Sequence, residues 1–122
     1  MNIALVDDST MVRANLTSVL TRLPGVHVVG HAASEDEAVD MINLKLPDLV
    51  LMDISLQKGT GLEALRRIRL AGNPSQVWML TNHNGAQYRK LGSELGAEGF
   101  FDKSIELEEL VAEIKKTFIQ YM

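Results

Sequence analysis

The feature that most restricts the fold of this chain is a fivefold alternation between short apolar runs and longer stretches whose apolar residues recur at helical spacing. The runs Ile3–Val6, Val26–Val29, Leu49–Met52, Val77–Leu80 and Gly99–Asp102 are too short for core helices, and their nearly unbroken apolarity suits strands covered on both faces. Between them, a helix is expected from about Thr10 to Arg22, with Val12, Leu16, Val19, Leu20 and Leu23 in one stripe and Pro24-Gly25 closing it. Ser34 and Glu37 have capping-box spacing and open a second helix with Ala38, Met41 and Ile42 inward, ending before Pro47. A third helix, Gly61–Leu70, turns Leu62, Leu65 and Ile68 inward before Gly72-Asn73-Pro74. The fourth, about Ala86 to Leu95, uses Tyr88, Leu91 and Leu95; Gly92 inside it costs roughly 1 kcal/mol relative to alanine, so the most mobile helix is expected here. The fifth, about Leu107 to Ile119, carries Leu107, Leu110, Val111, Ile114 and Phe118, with Ile105 at its entry. Five such pairs predict an α/β protein, a three-layer α/β/α sandwich on a five-stranded parallel sheet. With right-handed crossovers and strand order 2-1-3-4-5, strands one and three meet at the topological switch point.

The length of 122 residues fits one domain spanning 1–122, large enough to bury a core without staples. Cysteine is absent, which removes disulfides and thiolate metal sites and is compatible with a reducing cytoplasm. The N-terminus runs into a strand with no basic region and no apolar stretch of ~18 residues, so a cytoplasmic, soluble chain with no membrane contact is expected. A net charge of −4 offers no footprint for direct nucleic-acid binding.

Four of the five runs end on a residue that can handle phosphate: Asp7-Asp8, Asp53, Thr81 and Lys103. In a parallel α/β sheet the ligand crevice lies beyond the carboxyl ends of the strands, so these residues are expected to converge. Clustered carboxylates repel unless a cation compensates, and an all-oxygen ligand set suits Mg²⁺ or Mn²⁺. Mg²⁺ takes one or two carboxylates and keeps several waters, which matches Asp8 and Asp53 with Asp7 acting through water. Asp53 can attack phosphorus as a carboxylate nucleophile, while Lys103 neutralises the phosphoryl oxygens and Thr81 hydrogen-bonds one of them.

Taken singly, each residue has a plainer reading. Asp7-Asp8 alone equally describes a helix N-terminal charge pair, Thr81 a turn residue, and Phe100 a core aromatic in competition with Phe101 on the other face of its strand. Trp78 reads as packing, and Met11, Met41, Met52 and Met79 as core fillers. Arg66, Arg67 and Arg69 read as a solvated helix face, and His27, His31 and His83 lack metal-ligand spacing.

The acidic pair Asp7-Asp8, Asp53 after a buried strand, Thr81 and Lys103 together resemble a response-regulator receiver domain of bacterial two-component signalling, over essentially the whole chain. Gly61-Leu62-Glu63 after Asp53, and Gly96-Ala97 before the last strand, match the same pattern. The resemblance implies the flavodoxin-like (βα)5 receiver fold and a phosphorylation-controlled switch. Asp53 would accept a phosphoryl group from a sensor histidine kinase or histidine phosphotransfer protein, and the altered surface would engage a downstream protein target. It further implies the backbone carbonyl of Ser55 as third protein ligand of Mg²⁺, Thr81 and Phe100 as the switch pair, and Ser55 and His83 as side chains tuning phosphoryl lifetime. A phosphorylation-dependent homodimer is a further expectation it carries. The chain would be no enzyme beyond its own phosphorylation and dephosphorylation.

Two positions depart from the family pattern. Gln57 replaces the usual proline, so a less rigid loop is expected, and Ser104 replaces a proline after Lys103, so a cis bond cannot be assumed there.

An alternative within the resemblance is the N-terminal receiver of a helix-turn-helix transcriptional regulator. A haloacid-dehalogenase-like phosphatase also uses a strand-end aspartate, but it wants an acid two residues later, where Asp7 has Ser9 and Asp53 has Ser55. A dinucleotide binder would need a glycine-rich first loop, and Asp7-Asp8-Ser9-Thr10 is acidic.

Overall fold

The computed structural model describes residues 1–81, 86–105 and 107–119. Strands and helices alternate as β1 (Asn2–Val6), α1 (Thr10–Leu20), β2 (His27–Ala32), α2 (Glu35–Lys45), β3 (Leu49–Met52), α3 (Gly61–Leu70), β4 (Gln76–Thr81), α4 (Ala86–Glu94), β5 (Gly99–Asp102) and α5 (Leu107–Ile114). All strand pairs are parallel, in the order β2-β1-β3-β4-β5 expected from the sequence.

Strand periodicity divides the core. Ala4, Val6, Val50, Met52, Val77 and Met79 pack with Ala38, Val39, Ile42, Leu62, Leu65 and Ile68 on the α2–α3 side. Ile3, Leu5, Leu49, Leu51, Trp78 and Leu80 pack with Leu16, Leu20, Leu110 and Ile114 on the α1–α5 side. Phe101 lies 5.4 Å from Trp78 between ring centroids on this second side, while Phe100 packs on the first, so the two aromatics do not compete for one place.

Three helices start on hydroxyl caps: Ser9 accepts from Val12 N–H, Ser34 from Glu37 N–H and Thr60 from Glu63 N–H. These fix where each helix leaves the loop beyond its strand, which is where the candidate site lies.

Several expectations are corrected. Helix α1 stops at Leu20 and β2 runs on to Ala32, whereas Val26, though buried, lies before the strand. The last helix leaves α geometry after Ile114 for a π-helical stretch, Lys115–Ile119. Met11 is 72% exposed, one position off the inward stripe of α1. Leu91 is 44% exposed because buried Gly92 takes the inward place beside Phe100, and Leu107 points outward at the first position of α5. Arg69 is no solvated side chain: it donates to the carbonyls of Asn73, Ser75 and Gly96 and pairs with Glu98, tying the end of α3 to the turn before β5. Arg67 pairs with Glu35 and Asp36.

Candidate metal and phosphoryl site

The register of β1 and β3 pairs Val6 with Met52, so the next residues, Asp7 and Asp53, stand side by side. Asp53 N–H donates to the Val6 carbonyl at 2.9 Å and Asp7 N–H to the Ala32 carbonyl at 3.0 Å, which fixes both backbones at the sheet end. By strand alternation both side chains follow Ile3, Leu5, Leu49 and Leu51 toward the α1–α5 side. Lys103, just past β5, reaches the same place. Its Nζ lies 2.8 Å from Asp7 Oδ2 and 3.0 Å from Asp53 Oδ2, without a cis peptide bond among the described residues.

Asp7 and Asp53 are buried and Asp8 is exposed, yet one oxygen of each lies within 4.8 Å of the others. Three carboxylates against one ammonium leave two uncompensated negative charges. The donor set, all oxygen and open to solvent at Asp8, fits a hard divalent cation. Burial pushes the Asp53 carboxyl above its ordinary 3.8, the hydrogen bond from Lys103 pulls it back only in part, and Asp7 adds to the rise. Burial is also the largest single influence on Lys103 and lowers it, but the hydrogen bonds to Asp7 and Asp53 together with the charges of those carboxylates outweigh burial and leave the ammonium above its ordinary 10.5. Asp53 and Lys103 therefore each hold a proton more tightly than the free side chain does.

Thr81 ends β4 fully buried, and its carbonyl accepts Lys103 N–H at 2.9 Å, so the hydroxyl-bearing strand and the lysine are joined through the backbone. Ser55 N–H turns back to Asp53 Oδ1 at 3.4 Å, and Ser55 faces Thr60 in a single antiparallel bridge. Phe100 sits on the opposite side of the sheet from the acidic cluster, against Gly92 and under the Arg89 guanidinium, 5.0 Å from its centroid. His83 lies outside the described residues.

Two contributors were not singled out for the site from sequence. Arg13, one turn into α1, donates to the Asp7 carbonyl and holds the acidic turn. Gly61 allows close passage of the chain: a Cβ there would lie 2.0 Å from the Asp53 carbonyl oxygen. For Gly61 the signal was the match of Gly61-Leu62-Glu63 to the family pattern, which by itself gave the glycine no steric role.

An acidic crevice with one lysine, at the switch point of a 2-1-3-4-5 parallel sheet, defines a receiver-type α/β protein. The sequence profile of the response regulator receiver domain matches residues 3–115, and the chain belongs to that family, the receiver domains of two-component response regulators. It is 33% identical over 118 residues to the response regulator UvrY of Escherichia coli K12, covering 97% of this chain and 54% of UvrY. The chain thus spans about half the length of the curated relatives it matches. A LuxR-family two-component response regulator from Aurantimonas has a similar structure, with TM-score 0.88 and 35% identity, covering 95% of this chain and 83% of that one. So has a chain in the CheX-CheY-BeF3-Mg complex of Borrelia burgdorferi, with TM-score 0.89 and 26% identity, covering 97% and 89%. Phosphorylation on aspartate and Mg²⁺ binding at an acidic pocket are general features of the family. No described helix is long and apolar enough to cross a membrane.

Proposed function

We propose that Asp53 is the phosphoacceptor of this receiver, charged by a sensor histidine kinase or a histidine phosphotransfer protein. The observation that carries this reading is the Lys103 ammonium bridging Asp7 and Asp53 inside a three-carboxylate cluster. An Asp53 oxygen attacks phosphorus, the bond from phosphorus to the donor's histidine nitrogen breaks, and the imidazole leaves. Asp8, Asp53 and the Ser55 carbonyl would hold Mg²⁺ (or Mn²⁺), with Asp7 acting through water, and the bound cation would supply charge neutralisation for the phosphoryl oxygens. Lys103 stays on Asp7 and exchanges its Asp53 contact for a phosphoryl oxygen. Thr81 donates its hydroxyl to another, and Phe100 follows into the space it vacates, remodelling the α4-β5-α5 face that meets a downstream protein. Ser55 and His83 tune the lifetime of the phosphoryl group. The chain performs no chemistry beyond its own phosphorylation and dephosphorylation, works in the cytoplasm with residues 1–122 as a single receiver domain, and forms its phosphorylation-dependent homodimer through the fourth or fifth helix or through the first and fifth.

A second reading is favoured by a 32% identical putative transcriptional regulator of Pseudomonas aeruginosa, of which the chain covers 58%: these residues serve as the N-terminal receiver of a helix-turn-helix transcriptional regulator.

Intact-mass spectrometry after incubation with acetyl phosphate and Mg²⁺ tests the chemistry. One phosphoryl addition is expected, lost with chelator and in Asp53→Asn. Undiminished labelling of Asp53→Asn at the native position would end this assignment.

A further inference from the structure

Glu35, the first residue of α2, reaches across to the loop that follows Asp53, where its partner Thr60 lies 25 positions further along the chain. Its Oε1 accepts Thr60 N–H at 3.1 Å, its Oε2 accepts Arg67 Nη1 at 2.9 Å, and its own N–H donates to the Lys58 carbonyl at 2.9 Å. The carboxyl lies flat on Gly59: a Cβ there would stand 2.4 Å from Glu35 Oε1, and Gly59 holds φ +81, so this close approach requires glycine. Two residues earlier, Gln57 N–H donates to the Ala33 carbonyl at 3.0 Å, a bond that proline at this position could not make. The loop is therefore not left slack by the loss of proline; it is sewn to the start of α2.

The seam leads to the metal position. Thr60 caps α3 by accepting Glu63 N–H at 3.1 Å, and it faces Ser55 across the lone antiparallel bridge of the loop. Gly61 N–H donates to the Ile54 carbonyl at 2.8 Å in the same turn. Fixing Thr60 thus fixes the peptide units on either side of Ser55. We infer that Glu35 is a positioning residue for the metal loop, holding the Ser55 carbonyl in place through Thr60. This rests on the reading of Ser55 as a Mg²⁺ ligand and names the side chain that makes that carbonyl available.

The test is calorimetric titration of the whole chain with Mg²⁺, with Mn²⁺ counted by electron paramagnetic resonance as a second probe. Wild type binds. Glu35→Ala is expected to bind about tenfold more weakly, in the range that loss of an outer-shell contact to a metal ligand gives. Glu35→Gln keeps an amide oxygen for Thr60 N–H and should stay within about twofold of wild type, a rescue that a role in ion pairing alone would not give. Arg67→Ala removes the ion pair but leaves the Thr60 bond, so it should lower thermal stability while keeping Mg²⁺ affinity. If Glu35→Ala did not fold, Glu35→Ser, which also lacks the reach to Thr60, would read the same loss. Wild-type affinity in Glu35→Ala or Glu35→Ser overturns the inference, as does equal weakening in Glu35→Ala and Arg67→Ala, which would mean general loosening. Failure of wild type itself to bind Mg²⁺ overturns instead the metal reading beneath it, so the two failures are told apart.

Discussion

Strands β3 and β5 are each four residues long and each delivers a residue of the site, Asp53 from one and Lys103 from the other, yet β3 is buried at every position and β5 is only half-buried at every position. The helices beside them repeat the contrast. Helix α3 buries Gly61, Leu62, Ala64, Leu65 and Ile68, while in α4 only Gly92 is buried among the described side chains. The carboxylates thus hang on the rigid half of the sheet, and the lysine and Phe100 on the half with little packing to lose. A switch needs that division: the phosphoryl site must be held to fractions of an ångström, whereas the surface that reports on it must have two arrangements of similar energy.

The division breaks most directly in the cores. Ile68→Ala removes a fully buried side chain from the α2–α3 cluster and should cost roughly 2–5 kcal/mol in urea unfolding. Leu91→Ala, on the outer face of α4, should change stability by no more than about 0.5 kcal/mol. Comparable losses from the two would mean that both halves pack alike, and the mechanical contrast would have to be given up.

A smaller effect is expected where the halves meet. Burial holds the Asp53 carboxyl above its ordinary 3.8, so the folded chain binds that proton more tightly than the unfolded chain does. The stability Asp53 contributes is then fully present below pH 3.8 and falls as pH rises through the higher folded value. Asp53→Asn has no such loss. In metal-free buffer its melting temperature should exceed that of wild type by about a few degrees at pH 7, and the gap should close toward pH 4. Lys103 follows the same rule at the alkaline end: because its value is also raised, its contribution is fully present below pH 10.5 and is lost as pH rises through the higher folded value. A melting-temperature difference between the two proteins that stays constant from pH 4 to 7 would show that the buried charge is already compensated.

How much could be read from the chain follows the same line. The bounds of β3, α3 and β5 stood in the sequence, because an unbroken apolar run ending in aspartate, or a stripe closed by Gly72-Asn73-Pro74, leaves little choice. So did the meeting of Asp7, Asp8, Asp53 and Lys103, since each follows a strand of one parallel sheet and topology alone brings strand ends together. What was not legible depends on partners distant in sequence. Arg69 looks like its neighbours Arg66 and Arg67 until the carbonyls of Asn73, Ser75 and Gly96 are seen around it. Glu35 looks like one acid among three at a helix start. Leu91 satisfies helical spacing, but periodicity cannot show that Phe100 needs the volume a side chain at position 92 would fill.

That volume gives the smallest and finest test. At Gly92 a Cβ would stand 3.3 Å from Phe100 Cε2, 3.4 Å from Phe100 Cδ2 and 3.7 Å from Leu62 Cδ2. Alanine gains about 1 kcal/mol of helix propensity over glycine, and against this stands only a displacement of a few tenths of an ångström by the ring. In a sealed core that displacement would cost more than the gain, as overpacking there does. Phe100 is half-buried and bounded on its outer side by the exposed Arg89, so the ring can give way. Gly92→Ala should therefore raise stability by about 0.5 kcal/mol, and on the proposed switch role of Phe100 it should also change the yield of acetyl-phosphate labelling at Asp53. A loss of stability instead would place Phe100 in a closed pocket and move β5 to the rigid half of the molecule.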